Sequence, residues 1–183
     1  MEEIENKIKK EFETSSEKFV VLLDIPAEKY FATSMDSANF MSEGGKKGVY
    51  VTVSRPYRFI SKEMQKRSIN TDNLLFIDCI SCMAGDYSDG TCTFVENPAA
   101  LEEISMHIIS LLDKIESDEK FLIMDSVSAL LIYNGTNSVK EFLMFLINKL
   151  RLEKVNGILL VIGNDAPGDL KQILIAMCDK AIC

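Results

Sequence analysis

The stretch Phe121-Leu122-Ile123-Met124-Asp125 constrains this chain most, because four apolar residues run without alternation into a carboxylate. A strand with one wet face would alternate apolar and polar residues. An unbroken run therefore predicts a strand buried on both faces, as in a parallel sheet covered by helices. Four further runs, Phe19 to Ile25, Gly48 to Val53, Leu74 to Ile80 and Gly157 to Gly163, repeat the pattern. At 183 residues the chain has material for one core of ordinary size and not for two.

Helical patterns separate the runs. Pro26 stops the first one, after which Tyr30, Phe31, Met35, Ala38 and Met41 recur at helical spacing until Gly44 and Gly45. Pro56 suits the first turn of a helix reaching about Arg67, with Phe59, Ile60 and Met64 inward. Met83 to Thr93 reads as a polar loop. Asn97-Pro98 predicts a cap and helix start, followed by an apolar face of Leu101, Ile104, Ile108, Leu111, Leu112 and Ile115. Ser138 with Glu141 has capping-box spacing and opens a helix through Leu152. A last helix follows Pro167, and Ala181-Ile182-Cys183 begins a terminal strand. Strand and helix alternate throughout. The fold class is α/β: a three-layer α/β/α domain over residues 19–183 with a mostly parallel central sheet and right-handed crossovers. Residues 1–18 precede it as an amphipathic helix with the stripe Ile4, Ile8 and Phe12.

Composition removes some functions. Asp and Glu number 28 against 20 Lys and Arg, a formal charge of −8, which argues against nucleic-acid binding because a phosphate backbone calls for a basic face. No apolar stretch has the roughly 18 residues of a membrane helix. The N-terminus has no apolar signal core, and five cysteines leave one over, so reduced thiols in a cytoplasmic protein are expected. Cys79 and Cys82 have CxxC spacing. With Cys92, and His107 as a fourth candidate, they offer a zinc or redox alternative, though no second tight pair completes a site.

In an open α/β sheet, Asp125 lies where ligands bind, at the carboxyl end of its strand. The plainer role for it is capping the next turn or helix. Asp24 and Asp78 also fall near strand ends and could join Asp125 in an acidic cluster for a divalent cation, or stand as three separate carboxylates. No glycine occurs between Phe19 and Met41, so the first turn lacks the usual phosphate cradle. The pattern G-x-x-x-x-G-K-[ST] fits only with Lys29 as its lysine. Leu23 and Glu28 then replace the glycines, and Tyr30 replaces the Mg²⁺-binding hydroxyl residue. No GxSxG elbow is present, and the single histidine, His107, lies mid-helix.

The succession of elements, with Met124-Asp125-Ser126-Val127-Ser128-Ala129-Leu130-Leu131, resembles the KaiC-like branch of the RecA ATPases. Tyr50-Val51-Thr52-Val53-Ser54-Arg55-Pro56-Tyr57 and Leu75-Phe76-Ile77-Asp78-Cys79-Ile80-Ser81 are similar to related archaeal proteins, and the resemblance spans about residues 19–183. It implies a RecA/P-loop NTPase-like fold in which Asp125 helps hold Mg²⁺ through water. It also implies acidic catalytic residues after the second strand, where this chain has Ser54 and Arg55. The expectation is a catalytically degenerate member with no cofactor, acting as a regulatory or protein-interaction module, in signal transduction or by self-association. The alternative is a nucleotide-binding protein or weak ATPase that takes ATP and Mg²⁺ through Lys29, Arg55, Asp125 and Ser126.

Overall fold

The long apolar runs all become strands. The structure is a computed structural model that describes residues 6, 7, 10, 19–86, 90, 92–163 and 166–183. Its elements in chain order are β1 (Val20–Ile25), α1 (Ala27–Ser42), β2 (Lys47–Thr52), α2 (Tyr57–Lys66), β3 (Leu74–Asp78), β4 (Cys92–Phe94) and α3 (Leu101–Lys114). They continue with β5 (Lys120–Asp125), α4 (Val127–Tyr133), α5 (Thr136–Leu152), β6 (Asn156–Ile162), α6 (Gly168–Met177) and β7 (Lys180–Ile182). Short 3₁₀ turns cover Glu43–Gly45 and Ser81–Ala84. The stripe expected over residues 1–18 lies outside the described residues, except that residues 6, 7 and 10 are helical.

The seven strands lie in the order β4-β3-β2-β5-β6-β1-β7, and every pairing is parallel. Side chains alternate between the two faces, as the twofold period of a strand requires. Phe121 and Ile123 pack with α1 and α2, through Met35, Met41, Ile60 and Met64. Leu122 and Met124 pack with α3 to α6, through Ile104, Leu130, Leu143 and Leu170. Both faces of the sheet are thus buried, which is why its strands read as unbroken apolar runs. Gly48, opposite Phe121 in the register, is a required small residue because a side chain there would run into the Phe121 ring.

Some boundaries differ from the sequence reading. The polar stretch ends in a real edge strand, β4, whose three residues are too few to announce themselves. Helix α3 starts at Leu101, three residues after Pro98, because the Asn97 side chain instead accepts from the Ala99 amide in a separate turn (2.8 Å). Helix α5 already starts at Thr136, with Gly135 at its N-cap, so Ser138 lies inside it and caps nothing. Phe59 is turned outward and tilts against Phe31 (centroids 5.7 Å apart), while Ile60 and Met64 alone supply the buried face of α2.

Candidate functional site

From β2 the chain leaves through α2, on one face of the sheet, to β3. From β5 it leaves through α4 and α5, on the other face, to β6. The adjacent carboxyl ends of β2 and β5 therefore form a topological switch point, the usual crevice of an open α/β sheet. Thr52 and Asp125 are register partners there, and the Val53 amide donates to the Asp125 carbonyl (2.7 Å). Asp125 follows Ile123 by two residues, so its side chain points to the α1 side, and it is fully buried. The Asp125–Ser126 peptide bond is cis.

Three hydroxyls meet the Asp125 carboxylate. Tyr30 donates to Oδ1; Tyr50 donates to Oδ2, and Ser34 donates to the same oxygen at 2.8 Å. Ser34 Oγ and the Tyr50 hydroxyl also lie 2.6 Å apart. The group assembles for simple reasons. Tyr30 and Ser34 are four residues apart on α1 and so share a face. Tyr50 is two residues before Thr52 on β2 and faces the same side. Burial pushes both phenols well above their ordinary range, and the negative charge of Asp125 raises them further. The tyrosines therefore hold their protons and serve as donors.

The approach from β1 is short. Ile25 ends the strand, Pro26 alone connects, and Ala27 begins α1. The eight residues of the phosphate-loop pattern thus fall on the end of β1 and the first turn of α1, with no loop between them. Lys29 is exposed on that turn. Arg55 is half-buried with its guanidinium stacked 4.6 Å from the centre of the Phe31 ring, and its charge acts to lower Tyr30, against the stronger effect of burial. Ser126 caps α4, its hydroxyl accepting from the Ala129 amide at 3.2 Å. The helix after β5 is therefore capped by Ser126 and not by Asp125.

The acidic cluster does not form. Asp78 follows Phe76 by two residues and points to the α2 side, but β2 separates its strand from β5. It accepts from the amides of Tyr57 (2.6 Å), Ile80 (2.8 Å) and Ser81 (2.9 Å) and from the Ser81 hydroxyl (2.6 Å). Asp24 points to the opposite face, where Lys171 on α6 pairs with it at 2.5 Å. The register explains this: Val20 and Leu22 face the α3–α6 side, so Asp24 does too. The cysteines are all free thiols. Cys79 is buried in the α3–α6 core, its thiol pushed well up by burial, whereas Cys92 packs on the α1–α2 side. Among the described residues no three His, Cys, Asp or Glu side chains are arranged to hold a metal ion.

The sequence reading passed over Ser34 and Tyr50. Tyr50 carried the better signal, because a phenol in an otherwise aliphatic buried strand has to find a hydrogen-bond partner.

No protein-family model matches the chain, and no curated protein sequence does. Solved structures do. The KaiC-like protein PH0186 of the hyperthermophilic archaeon Pyrococcus horikoshii is similar with a TM-score of 0.66 and 16% identity, over 90% of this chain and 70% of that one. The uncharacterized protein PH0321 of Pyrococcus horikoshii, crystallised in complex with an unknown peptide, is similar with a TM-score of 0.60 and 12% identity. That match covers 93% of this chain and 78% of the other. At such identities the likeness is one of fold. The chain has the fold of a KaiC-like, RecA-type α/β domain.

Proposed function

We propose that this RecA-like domain is a regulatory or protein-interaction module that does not hydrolyse nucleotide. The observation that carries the reading is the occupied carboxylate: both oxygens of Asp125 accept from protein hydroxyls. An aspartate that orients Mg²⁺ through water needs those oxygens turned toward solvent. The one-residue link between β1 and α1 supports the same conclusion, since a phosphate cradle is a loop of successive amides ahead of the helix. Glu28 in the first turn of α1 places a negative charge where phosphates would approach. Phosphoryl transfer rests on positioning and on charge stabilisation by lysine and Mg²⁺, and the residues present do not fit that group. The peptide bound to PH0321 is in keeping with a fold that can serve protein recognition. Among the described residues no helix is long and apolar enough to cross a membrane, and the reading places the domain in the cytoplasm.

Calorimetric titration of ATP with Mg²⁺ into the metal-free chain tests this. No heat at millimolar nucleotide is the expected result. Saturable binding in the micromolar range, or stoichiometric hydrolysis, would overturn the reading. Lys29 and Arg55, which lie beside the α1 start and on Phe31, would then be the first residues to substitute.

A further inference from the structure

On the face away from Asp125, α3 and α5 pack side by side over the sheet. Between their outer surfaces runs an open groove of about 960 Å³. Leu101 and two alanines line one end, and the rest of its apolar lining is two stripes, Met106 and Ile109 on α3 and Phe142 and Phe145 on α5, each pair three residues apart. Met106 is 70% exposed and Phe145 is 49% exposed, although both are side chains that a helix ordinarily turns inward. The rest of the lining includes Glu102, Glu103 and Glu141 and contains no Lys or Arg. His107, one helical turn from Glu103, lies 3.6 Å from its carboxylate. Favourable placement near the start of α3 accounts for Glu102 and Glu103, but not for Glu141 in the second turn of α5. Nor does it account for two large apolar side chains left in water between them.

We infer that this groove docks an amphipathic helix of a partner protein, with an apolar stripe bordered by Lys or Arg. The inference rests on the reading of the domain as an interaction module and names the surface it would use. Two parallel helix ridges leave a channel into which a third helix packs at an interaxial distance of about 8–10 Å. Apolar residues of the incoming helix at i, i+3, i+4 and i+7 would cover Met106, Ile109 and Phe145, with methionine adapting to their shape. Its basic residues would meet the three glutamates, an arrangement that favours fast encounter and rejects acidic helices. The chain's net charge of −8 acts in the same sense at longer range.

The test uses the whole chain and two labelled peptides of roughly 15 residues, about four helical turns. Both carry a leucine stripe at i, i+3, i+4 and i+7; one is flanked by lysines and its twin by glutamates. Fluorescence anisotropy should show saturable binding of the lysine peptide, tighter than its twin by about tenfold or more. Met106→Ala with Phe145→Ala removes exposed side chains only, so the fold should persist while the affinity drops by about tenfold. Glu141→Lys should weaken the lysine peptide and not its twin.

Equal binding of both peptides, or binding indifferent to these substitutions, would overturn the inference. So would a concentration-dependent dimer of the parent in sedimentation that Phe145→Glu abolishes, since the occupant would then be a second copy. Binding that emerges only after Ile8→Glu and Phe12→Glu would instead assign the groove to the chain's own first residues. Peptide binding together with ATP hydrolysis would sink the proposed function and leave the groove standing. Neither activity would sink the groove alone.

Discussion

Asp78 and Asp125 are both fully buried carboxylates at the carboxyl ends of strands, on the same face of one sheet, yet they are held in opposite ways. Asp78 is gripped mainly by backbone amides, those of Ile80 and Ser81 beside it and that of Tyr57 at the start of α2, with the Ser81 hydroxyl as a fourth donor. Asp125 is gripped from a distance, by side-chain hydroxyls of Tyr30, Ser34 and Tyr50 that lie 75 to 95 residues away in the chain. Backbone amides can only donate. Hydroxyls can donate or accept and can be removed by substitution. The first carboxylate is thus part of the scaffold that shapes two turns. The second is held by side chains that can be substituted one at a time, and the difference separates an acid fixed by backbone from one fixed by exchangeable hydroxyls.

The sharpest way to break this comparison is to replace each acid by its amide. In Asp78→Asn an NH₂ must face at least one backbone N–H, a donor against a donor, and roughly 3 kcal/mol of stability should be lost. In Asp125→Asn the hydroxyls can turn to accept from the new NH₂, and the loss should be nearer 1 kcal/mol. Urea unfolding of both variants measures this, with the midpoint as readout and an unchanged slope as the control. Equal losses would mean that the hydroxyl set is as rigid as the amide set.

A second substitution isolates one hydroxyl. Tyr30→Phe keeps the ring packed and deletes a single donor to Oδ1, so it should cost about 1.5 kcal/mol, the low end for a hydrogen bond to a charged group. It should not by itself confer nucleotide binding, because the one-residue link at Pro26 is untouched. A variant that binds MgATP would show that Tyr30 alone had closed the site.

How much of this was legible beforehand follows from range. Layers and strand number were readable because burial on both faces leaves unbroken apolar runs such as Phe121 to Met124, and only the three-residue β4 escaped. The direction of Asp125 was implicit too, fixed by the twofold period from Ile123. The same rule separates Asp24 from Asp78 and Asp125, but only once the buried faces of β1, β3 and β5 are known, which no local pattern states. The hydroxyl set was hidden for a different reason. Tyr30 and Ser34 meet Tyr50 only through the packing of α1 against β2 and β5, contacts that lie far apart in sequence. Ser138 misled because a capping-box spacing is as compatible with a helix interior as with its start.

The last expected effect is absent at neutral pH and appears only in alkali. The folded chain holds the protons of Tyr30 and Tyr50 well above the ordinary value of 10, whereas the unfolded chain releases them near it. Below about pH 10 both states are protonated, so whatever the donors contribute is fully present. As pH rises further the unfolded state binds fewer protons than the native one, and stability falls until the folded phenols ionise. Each tyrosine can contribute up to about 1.4 kcal/mol per pH unit to that slope. Cys178, raised to about 12, loses stability in the same direction from about pH 9 and forms a background common to parent and variants. The comparison is therefore between slopes: Tyr50→Phe should flatten the decline above pH 10, measured by urea midpoints at closely spaced pH values. Asp78→Asn should shift the whole curve down and leave its slope intact, since backbone amides, not phenols, hold that carboxylate. An unchanged slope in Tyr50→Phe would mean that Tyr50 ionises alike in both states, and the closed proton network at Asp125 would lose its basis.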